Sequence, residues 1–223
     1  MSSIFNRNKT FRPKKNHHHG TKRYDLHKHA QATLGRVKNE DSRMMRSGNF
    51  RQAIALPPGE DANEWLAVHT IDFFNEISIV YGTIMEFCTP ETCPNMSAGP
   101  KFEYLWKDDR QYKTPSKLSA PEYIDMLMSW VEDLISDESV FPTRDGAPYP
   151  RGFSSVIKNI FRRLFRVYAH VYYSHFDKIV RLGAEAHLNS CFKHFMLFVT
   201  EFDLVDKREQ EPLKDLIKNL LDR

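Results

Sequence analysis

The chain has 223 residues, of which 41% are hydrophobic and 13% aromatic, so it is long enough to bury one sizeable core. Its 32 Lys and Arg residues against 29 Asp and Glu residues leave a net charge of only +3, which does not favour nucleic acid as a partner. Three cysteines, a polar N-terminus and the lack of any run of about 18 apolar residues predict a protein of a reducing compartment without a membrane span.

The N-terminal part of the chain differs in composition from the rest. Residues 1–46 are basic and lack sustained hydrophobic periodicity, so we expect a flexible extension with one short helix over residues 24–34. Its last part, residues 36–46, is a highly charged segment. Residues 47–223 carry most of the apolar residues and are predicted to form a single helical domain.

Five helices are predicted after the extension, from apolar residues that recur every three or four positions. Asp61 can cap the first, Ser119 and Glu122 form a capping box for the second, and Ser154 or Ser155 can cap the third. Their approximate bounds are 61–82, 119–136, 154–181, 185–202 and 208–221. Short connections between such helices are typical of a bundle, so the predicted fold class is mainly α.

Between the first two helices the periodicity is lost, because prolines interrupt the chain. Residues 101–106 alternate aromatic and polar side chains, which predicts a small β-hairpin with residues 111–113 across a turn at 107–110. A two-stranded ribbon is only marginally stable by itself, so this region requires an anchor.

Two pairs of metal-ligating residues provide a candidate anchor. Cys88 and Cys93 have the spacing C-x4-C, and His170 and His175 have the spacing H-x4-H, both of which occur in structural zinc sites. Two thiolates and two neutral imidazoles around Zn²⁺ form a closed, uncharged site. Residues five apart on a straight helix point about 140° apart, so either the helix bends or the metal lies where both rings can swing toward it. The alternative is that all four are ordinary core or loop residues.

Three arginines precede the histidines on the same predicted helix. Arg166 lies four positions after Arg162 and three after Arg163, so the three arginines lie along one side of it. Guanidinium groups match phosphate oxygens in bidentate fashion, so the cluster predicts binding of a phosphoserine or phosphothreonine. A solvated helix face and a nucleic-acid contact are the alternatives.

Long runs of this sequence resemble the Mob/phocein family of kinase co-activators, and the resemblance spans nearly the whole chain. Among these runs are KTFRPKK (9–15), LPPGED (56–61), NEWLAV (63–68), DFFN (72–75), RLFRVYAH (163–170) and EAHLN (185–189). Within the family, the chain is most similar to the members that activate NDR/LATS kinases in Hippo and mitotic-exit signalling. The resemblance implies a helical bundle with a structural zinc ion held by two cysteines and two histidines, here Cys88, Cys93, His170 and His175.

By the same resemblance, the protein is a non-catalytic adaptor and allosteric co-activator. Arg162, Arg163 and Arg166 would bind phosphothreonine motifs on upstream Ste20-like kinases. A second surface, matching Glu60, Glu64, Trp65 and Asp72, would bind the N-terminal regulatory region of an NDR/LATS-type AGC kinase. The alternative for Trp65 is plain core packing.

The resemblance also implies regulation by the N-terminal extension. In the family this extension masks the kinase-binding surface until threonines that match Thr10 and Thr33 are phosphorylated. Relatives join the residues around 35 and 47 almost directly, so residues 36–46 are additional here. The family also implies a cytoplasmic and nuclear location, with spindle poles or the cell cortex as further sites. The competing functions are a zinc-dependent hydrolase and a phosphopeptide-binding scaffold unrelated to kinases.

Overall fold

The described part of the chain folds mainly into α-helices, as the sequence predicts. The structure is a computed structural model that describes residues 47–144 and 146–222. Its helices are α1 (Ser47–Ile54), α2 (Ala62–Gly82), α3 (Ala120–Ser136), α4 (Phe153–Ser174), α5 (Phe176–Arg181), α6 (Glu185–Glu201), α7 (Lys207–Gln210) and α8 (Lys214–Leu221), with a 3-10 turn at Glu211–Leu213. None of these helices is both long and apolar enough to cross a membrane. The extension over residues 1–46, with Thr10 and Thr33, lies outside the described residues.

The predicted helix starts are mostly confirmed. The Asp61 carboxylate accepts hydrogen bonds from the backbone N–H groups of Asn63 and Glu64 at 2.8 and 3.1 Å, and so caps α2. The backbone N–H of Ser119 donates to Glu122 at 3.1 Å before α3. Helix α4 begins at Phe153, slightly earlier than expected, because Gly152 adopts φ +89° and starts the turn. Helix α1 was not predicted from the sequence.

The core lies between α2, α4 and α6, and aromatic rings fill it. Phe161 on α4 lies 5.5 Å from Phe198 on α6, whereas Tyr168 lies 5.1 Å from Phe192, so these two helices run antiparallel. Such ring pairs contribute about 0.5 to 1.5 kcal/mol each beyond the burial of their area. The ring contacts of α2 with α6 give the same direction, since His69 meets Phe198 and Phe73 meets His194. The C-terminal ends of α2 and α4 therefore lie at one end of the bundle.

The predicted β-hairpin is wrong. Between residues 88 and 119 the structure shows two isolated antiparallel bridges, Ser97 with Glu103 and Trp106 with Ser116. The Asp108 side chain accepts hydrogen bonds from the backbone N–H groups of Arg110 and Tyr112 at 2.9 and 2.8 Å, which closes a local turn. These donors therefore cannot extend a ladder, and the end of the segment 101–106 pairs with Ser116 instead of residues 111–113.

Candidate metal centre and arginine cluster

Four side chains that are distant in sequence converge beyond the C-terminal ends of α2 and α4. The Sγ of Cys88 lies 3.5 Å from Nε2 of His170, and the Sγ of Cys93 lies 3.4 Å from Nε2 of His175. All four residues are buried, and their ligand atoms lie within 4.8 Å of one another. A tetrahedral metal at about 2.3 Å from sulfur and about 2.0 to 2.1 Å from nitrogen separates the two by about 3.6 Å. The group therefore has a geometry that can hold a metal ion.

A break in the long helix aims the two histidines at the same point. His170 lies in the last turns of α4, whereas His175 has φ −132° and ψ 4°, which ends α4 before α5 begins. Of the two expected ways to bring the rings together, the structure shows the first, as an interruption of the helix at His175, and the expected uninterrupted helix to residue 181 is corrected. Helical turns also shape the cysteine segment, where the N–H of Cys93 donates to Thr89 O at 2.8 Å.

The surroundings favour the neutral imidazoles that a metal requires, but they disfavour the thiolates. Nδ1 of His170 lies 2.8 Å from the carbonyl oxygen of Ser97, and donation to that oxygen leaves Nε2 as a lone-pair donor toward the sulfur atoms. Burial lowers the pKa of His170. The pKa of His175 is lowered to about 4, mainly by burial and to a lesser extent by the charge that His170 would carry. Both shifts favour the neutral imidazole. Burial and then Cys93 raise the pKa of Cys88, so thiolates in this site need a cation.

The arginines on α4 already have partners within the chain. Arg166 directs Nε and Nη2 to the carboxylate of Glu209 at 3.2 and 2.9 Å, and Nη1 to the hydroxyl of Tyr123 at 3.2 Å. Burial alone lowers the pKa of Arg166, but Tyr123 and the hydrogen bonds to Glu209 outweigh it and the net shift is upward. Arg166 is therefore a charged guanidinium whose orientation is fixed by hydrogen bonds, and it forms an ion pair with the carboxylate of Glu209.

The other two arginines have different surroundings. The guanidinium carbon of Arg163 lies 4.2 Å from the ring centre of Trp106 and 4.5 Å from that of Trp130, and its Nη2 donates to Lys107 O at 2.8 Å. Arg162 donates from Nη2 to Asn159 at 2.7 Å. The three arginines thus have different partners, and Arg163 packs against two tryptophan rings that meet edge to face, with centres 6.5 Å apart.

Sequence reasoning missed the residues that hold these arginines. Glu209 lies 43 residues from Arg166, and Lys107 lies 56 residues from Arg163. No local spacing relates such pairs, so periodicity could not find them. The sequence pattern places Trp106 in a hairpin and Trp130 in the apolar stripe of α3, and neither assignment points to an arginine.

Comparison with known proteins identifies the family. A sequence model of the Mob1/phocein family matches residues 42–213 of this chain. The chain belongs to the Mob1/phocein family. It is 60% identical over 222 residues to "MOB kinase activator-like 1 homolog B" of Dictyostelium discoideum, covering 99% of this chain and 98% of that one. It is 57% identical over 213 residues to "MOB kinase activator-like 1A" of Arabidopsis thaliana, covering 96% and 94%. Both relatives are named as activators of a kinase.

In this Mob1/phocein chain, the four residues expected to bind a kinase are not equally accessible. Glu60 and Glu64 are partly exposed near the start of α2. Trp65 is only 1% exposed, and its indole N–H donates to Ile54 O at 2.9 Å, which ties α1 to α2. Asp72 is 5% exposed. The expectation that Trp65 is an interface anchor is corrected in favour of core packing, because its ring is already buried within its own chain.

Proposed function

We propose that this chain is a non-catalytic co-activator that binds and activates a protein kinase of the NDR/LATS type. The observation that carries the proposal is its identity of 60% and 57%, over nearly full length, to relatives named kinase activators. Membership in the Mob1/phocein family over residues 42–213 supports the same function. The kinase segment would be its N-terminal regulatory region, whose basic residues suit a carboxylate-bearing surface.

The surface proposed for this kinase centres on Glu60 and Glu64. Glu60 and Glu64 are partly exposed at the start of α2, where the exposed Asp61 adds a third acid, although Oε2 of Glu60 is buried. Trp65 and Asp72 are buried on the same helix and would act by holding it in place. A rigid helix start that presents several acids favours fast, salt-dependent association with a basic peptide.

The metal proposed for the two cysteines and two histidines is zinc, in a structural role. Cys88, Cys93, His170 and His175 supply four ligand atoms within 4.8 Å of one another, with two sulfur–nitrogen distances of 3.5 and 3.4 Å, and all four residues are buried. Zinc would join the irregular segment after α2 to the end of α4, and its binding free energy would add to folding free energy. A hydrolase requires a ligand position open to water, and four protein ligands fill a tetrahedral ion.

The arginine cluster is proposed to bind phosphothreonine motifs on upstream Ste20-like kinases. The three guanidinium groups lie within one and a half turns of α4, and Arg162 is the least constrained of them, with one hydrogen bond to Asn159. A phosphate has three acceptor oxygens and about −1.5 to −2 charge at neutral pH, which suits several adjacent guanidinium groups. A phosphopeptide scaffold unrelated to kinases would use the same cluster but would not bind a kinase at Glu60 and Glu64.

Phosphorylation of Thr10 and Thr33 is proposed to expose the acidic surface. The extension is rich in Lys, Arg and His, so it can cover Glu60 and Glu64 by charge attraction. Each phosphate would add about −1.5 to −2 charge to this extension and weaken that attraction. Location in the cytoplasm and nucleus, with spindle poles or cortex as further sites, stays a prediction.

Binding of a purified kinase segment tests the main proposal. The full chain, unmodified or phosphorylated at Thr10 and Thr33, is titrated with the N-terminal segment of an NDR-type kinase. We expect Glu64→Gln to weaken binding by about tenfold, because it removes a central charge. Glu185→Gln changes an exposed acid at the start of α6 and serves as the matched control. Failure of every form to bind the segment or stimulate the kinase would exclude the proposal.

A further inference from the structure

Glu209 holds Arg166 in the way a bound anion would. Its two carboxylate oxygens accept from Nη2 at 2.9 Å and from Nε at 3.2 Å, which is the bidentate pairing of guanidinium with an oxyanion. The remaining nitrogen, Nη1, donates to Tyr123. All three nitrogens of Arg166 thus have an acceptor within the chain. A phosphate that binds the Nε–Nη2 edge of Arg166 must take the place of this carboxylate.

The environment makes this pair stronger than an ordinary surface contact. The side chains of Arg166 and Glu209 are only 16% and 25% exposed, whereas those of Lys158 and Asp203, a neighbouring ion pair, are 47% and 89% exposed. Partial burial reduces solvent screening, so the attraction between the charges is larger. Displacement of Glu209 therefore has a free-energy cost that any ligand of Arg166 must offset.

Glu209 also connects the arginine cluster to the C-terminal part of the chain. It lies on the four-residue helix α7, which continues through the turn at Glu211–Leu213 into α8. Leu213 and Ile217 are buried and anchor this turn and α8 to the core, while the residues of α7 itself are exposed or half-buried. Helix α7 contributes no buried side chain, although Leu204 and Val205 before it and Leu213 after it are buried, so its own residues can shift without unpacking the core.

From these contacts we propose that Glu209 is an internal competitor that determines the affinity of the arginine cluster for phosphate. The inference rests on the proposed phosphothreonine binding and adds the residue that opposes it. Phosphate binding at the Nε–Nη2 edge of Arg166 and pairing of that edge with Glu209 exclude each other. By thermodynamic linkage, a ligand that displaces Glu209 also releases α7, and a change that frees Arg166 strengthens ligand binding.

A purely structural Glu209 leads to the opposite result. If it only orients Arg166 for the ligand, its removal lets the guanidinium adopt other rotamers and weakens phosphate binding. The two roles therefore differ in the sign of the effect on affinity.

The test uses the full chain and two synthetic peptides that differ only in one phosphate on a threonine. Glu209→Gln keeps the shape of the side chain and removes the charge, so we expect about tenfold tighter binding of the phosphopeptide by fluorescence anisotropy. Glu211→Gln is the matched control, because Glu211 lies two residues away and pairs with exposed Lys214 at 3.5 Å. We expect no change in affinity for it. Glu209→Asp keeps the charge on a shorter side chain and should give about a threefold gain.

Hydrogen exchange supplies a second measurement. In the wild-type chain the phosphopeptide should increase amide exchange over residues 207–213, and in Glu209→Gln this increase should be absent. Unchanged or weaker binding by Glu209→Gln and Glu209→Asp, with a wild-type chain that binds, overturns this inference and leaves the proposed function standing. If the wild-type chain does not distinguish the two peptides, both the inference and phosphothreonine binding fail.

Discussion

Cys93 and His175 are 82 residues apart in the chain, yet the Sγ of the first lies 3.4 Å from Nε2 of the second. The contact follows from helix direction, because α2 and α4 both run antiparallel to α6 and end at the same side of the bundle. His175 lies just after the end of α4. Its backbone is not helical, so its ring does not have to point away from His170 as it would on a continuous helix. The segments that follow the C-terminal ends of α2 and α4 therefore contribute to the same group of metal-ligating residues.

Loss of one cysteine should remove the metal and much of the stability. We expect Cys88→Ser to abolish stoichiometric zinc and to lower the free energy of unfolding by several kcal/mol, since structural zinc binding contributes on the order of 10 kcal/mol. Elemental analysis and thermal melting measure the two effects. Cys191→Ala is the control, because Cys191 is buried in α6 and is not in the ligand group. Full zinc content and an unchanged melting temperature in Cys88→Ser would show that no metal at this site supports the fold.

Arg163 should contribute more to the stability of the chain than Arg162. Arg163→Ala removes the packing of this side chain against Trp106 and Trp130 together with two cation–π contacts, so we expect a loss of about 2 kcal/mol in stability. Arg162→Ala removes one hydrogen bond to Asn159 and should cost less than about 1 kcal/mol. Denaturant melts of the two variants test the difference. Equal stability losses would show that the stacked position of Arg163 is unimportant.

A half-buried carboxyl on α3 should produce a stability that depends on pH. Burial, and then the charge of Glu122, raises the pKa of Asp125 from 3.8 to about 7, and its buried Oδ1 has no hydrogen-bond partner among the described residues. Between about pH 4 and 7 the folded state holds a proton that the unfolded state has lost. Stability is therefore highest below about pH 4 with respect to this group and falls as the pH rises to about 7.

Substitution of Asp125 checks this sign. We expect Asp125→Asn to stabilise the chain at about pH 8 by about 1 to 2 kcal/mol, once solvent screening of a partly exposed carboxyl is allowed for. The difference from wild type should shrink as the pH falls through about 7 toward about 4. Urea melts at several pH values provide the curve. A difference that does not vary with pH would contradict the raised pKa.

Gly99 should not tolerate a side chain. It has φ +72°, and a Cβ there would lie 2.7 Å from Cε1 of the Tyr173 ring. Backbone strain and the clash together should cost Gly99→Ala about 2 kcal/mol. Tyr173→Ala removes the ring, so in that background the same change should retain only the strain, about 1 kcal/mol. Thermal unfolding of the wild-type chain, the two single variants and the double variant gives the coupling free energy between the two substitutions. A coupling free energy of zero would show that the Tyr173 ring moves aside freely.

Much of the fold was predictable because its signals are local. The cap at Asp61, the box at Ser119 and Glu122, and the apolar periodicity of α2 and α3 act within a few residues. The hairpin prediction was wrong although aromatic and polar side chains do alternate over residues 101–106. The backbone N–H groups of Arg110 and Tyr112 donate to the Asp108 side chain and are not available for strand pairing. Helix α1 was missed because its short sequence has a weak pattern, and the indole N–H of Trp65 holds its last residue.

The sequence by itself determined which residue types stand at ligand spacing and which helix carries the arginines, because those relations are short-range and repeat with the helical turn. Only the tertiary structure decided that the cysteines and histidines meet, that Trp65 faces inward, and that Glu209 lies on Arg166. These relations depend on how helices cross and in which direction they run. No local spacing in the sequence encodes those choices, since packing of the whole core sets them.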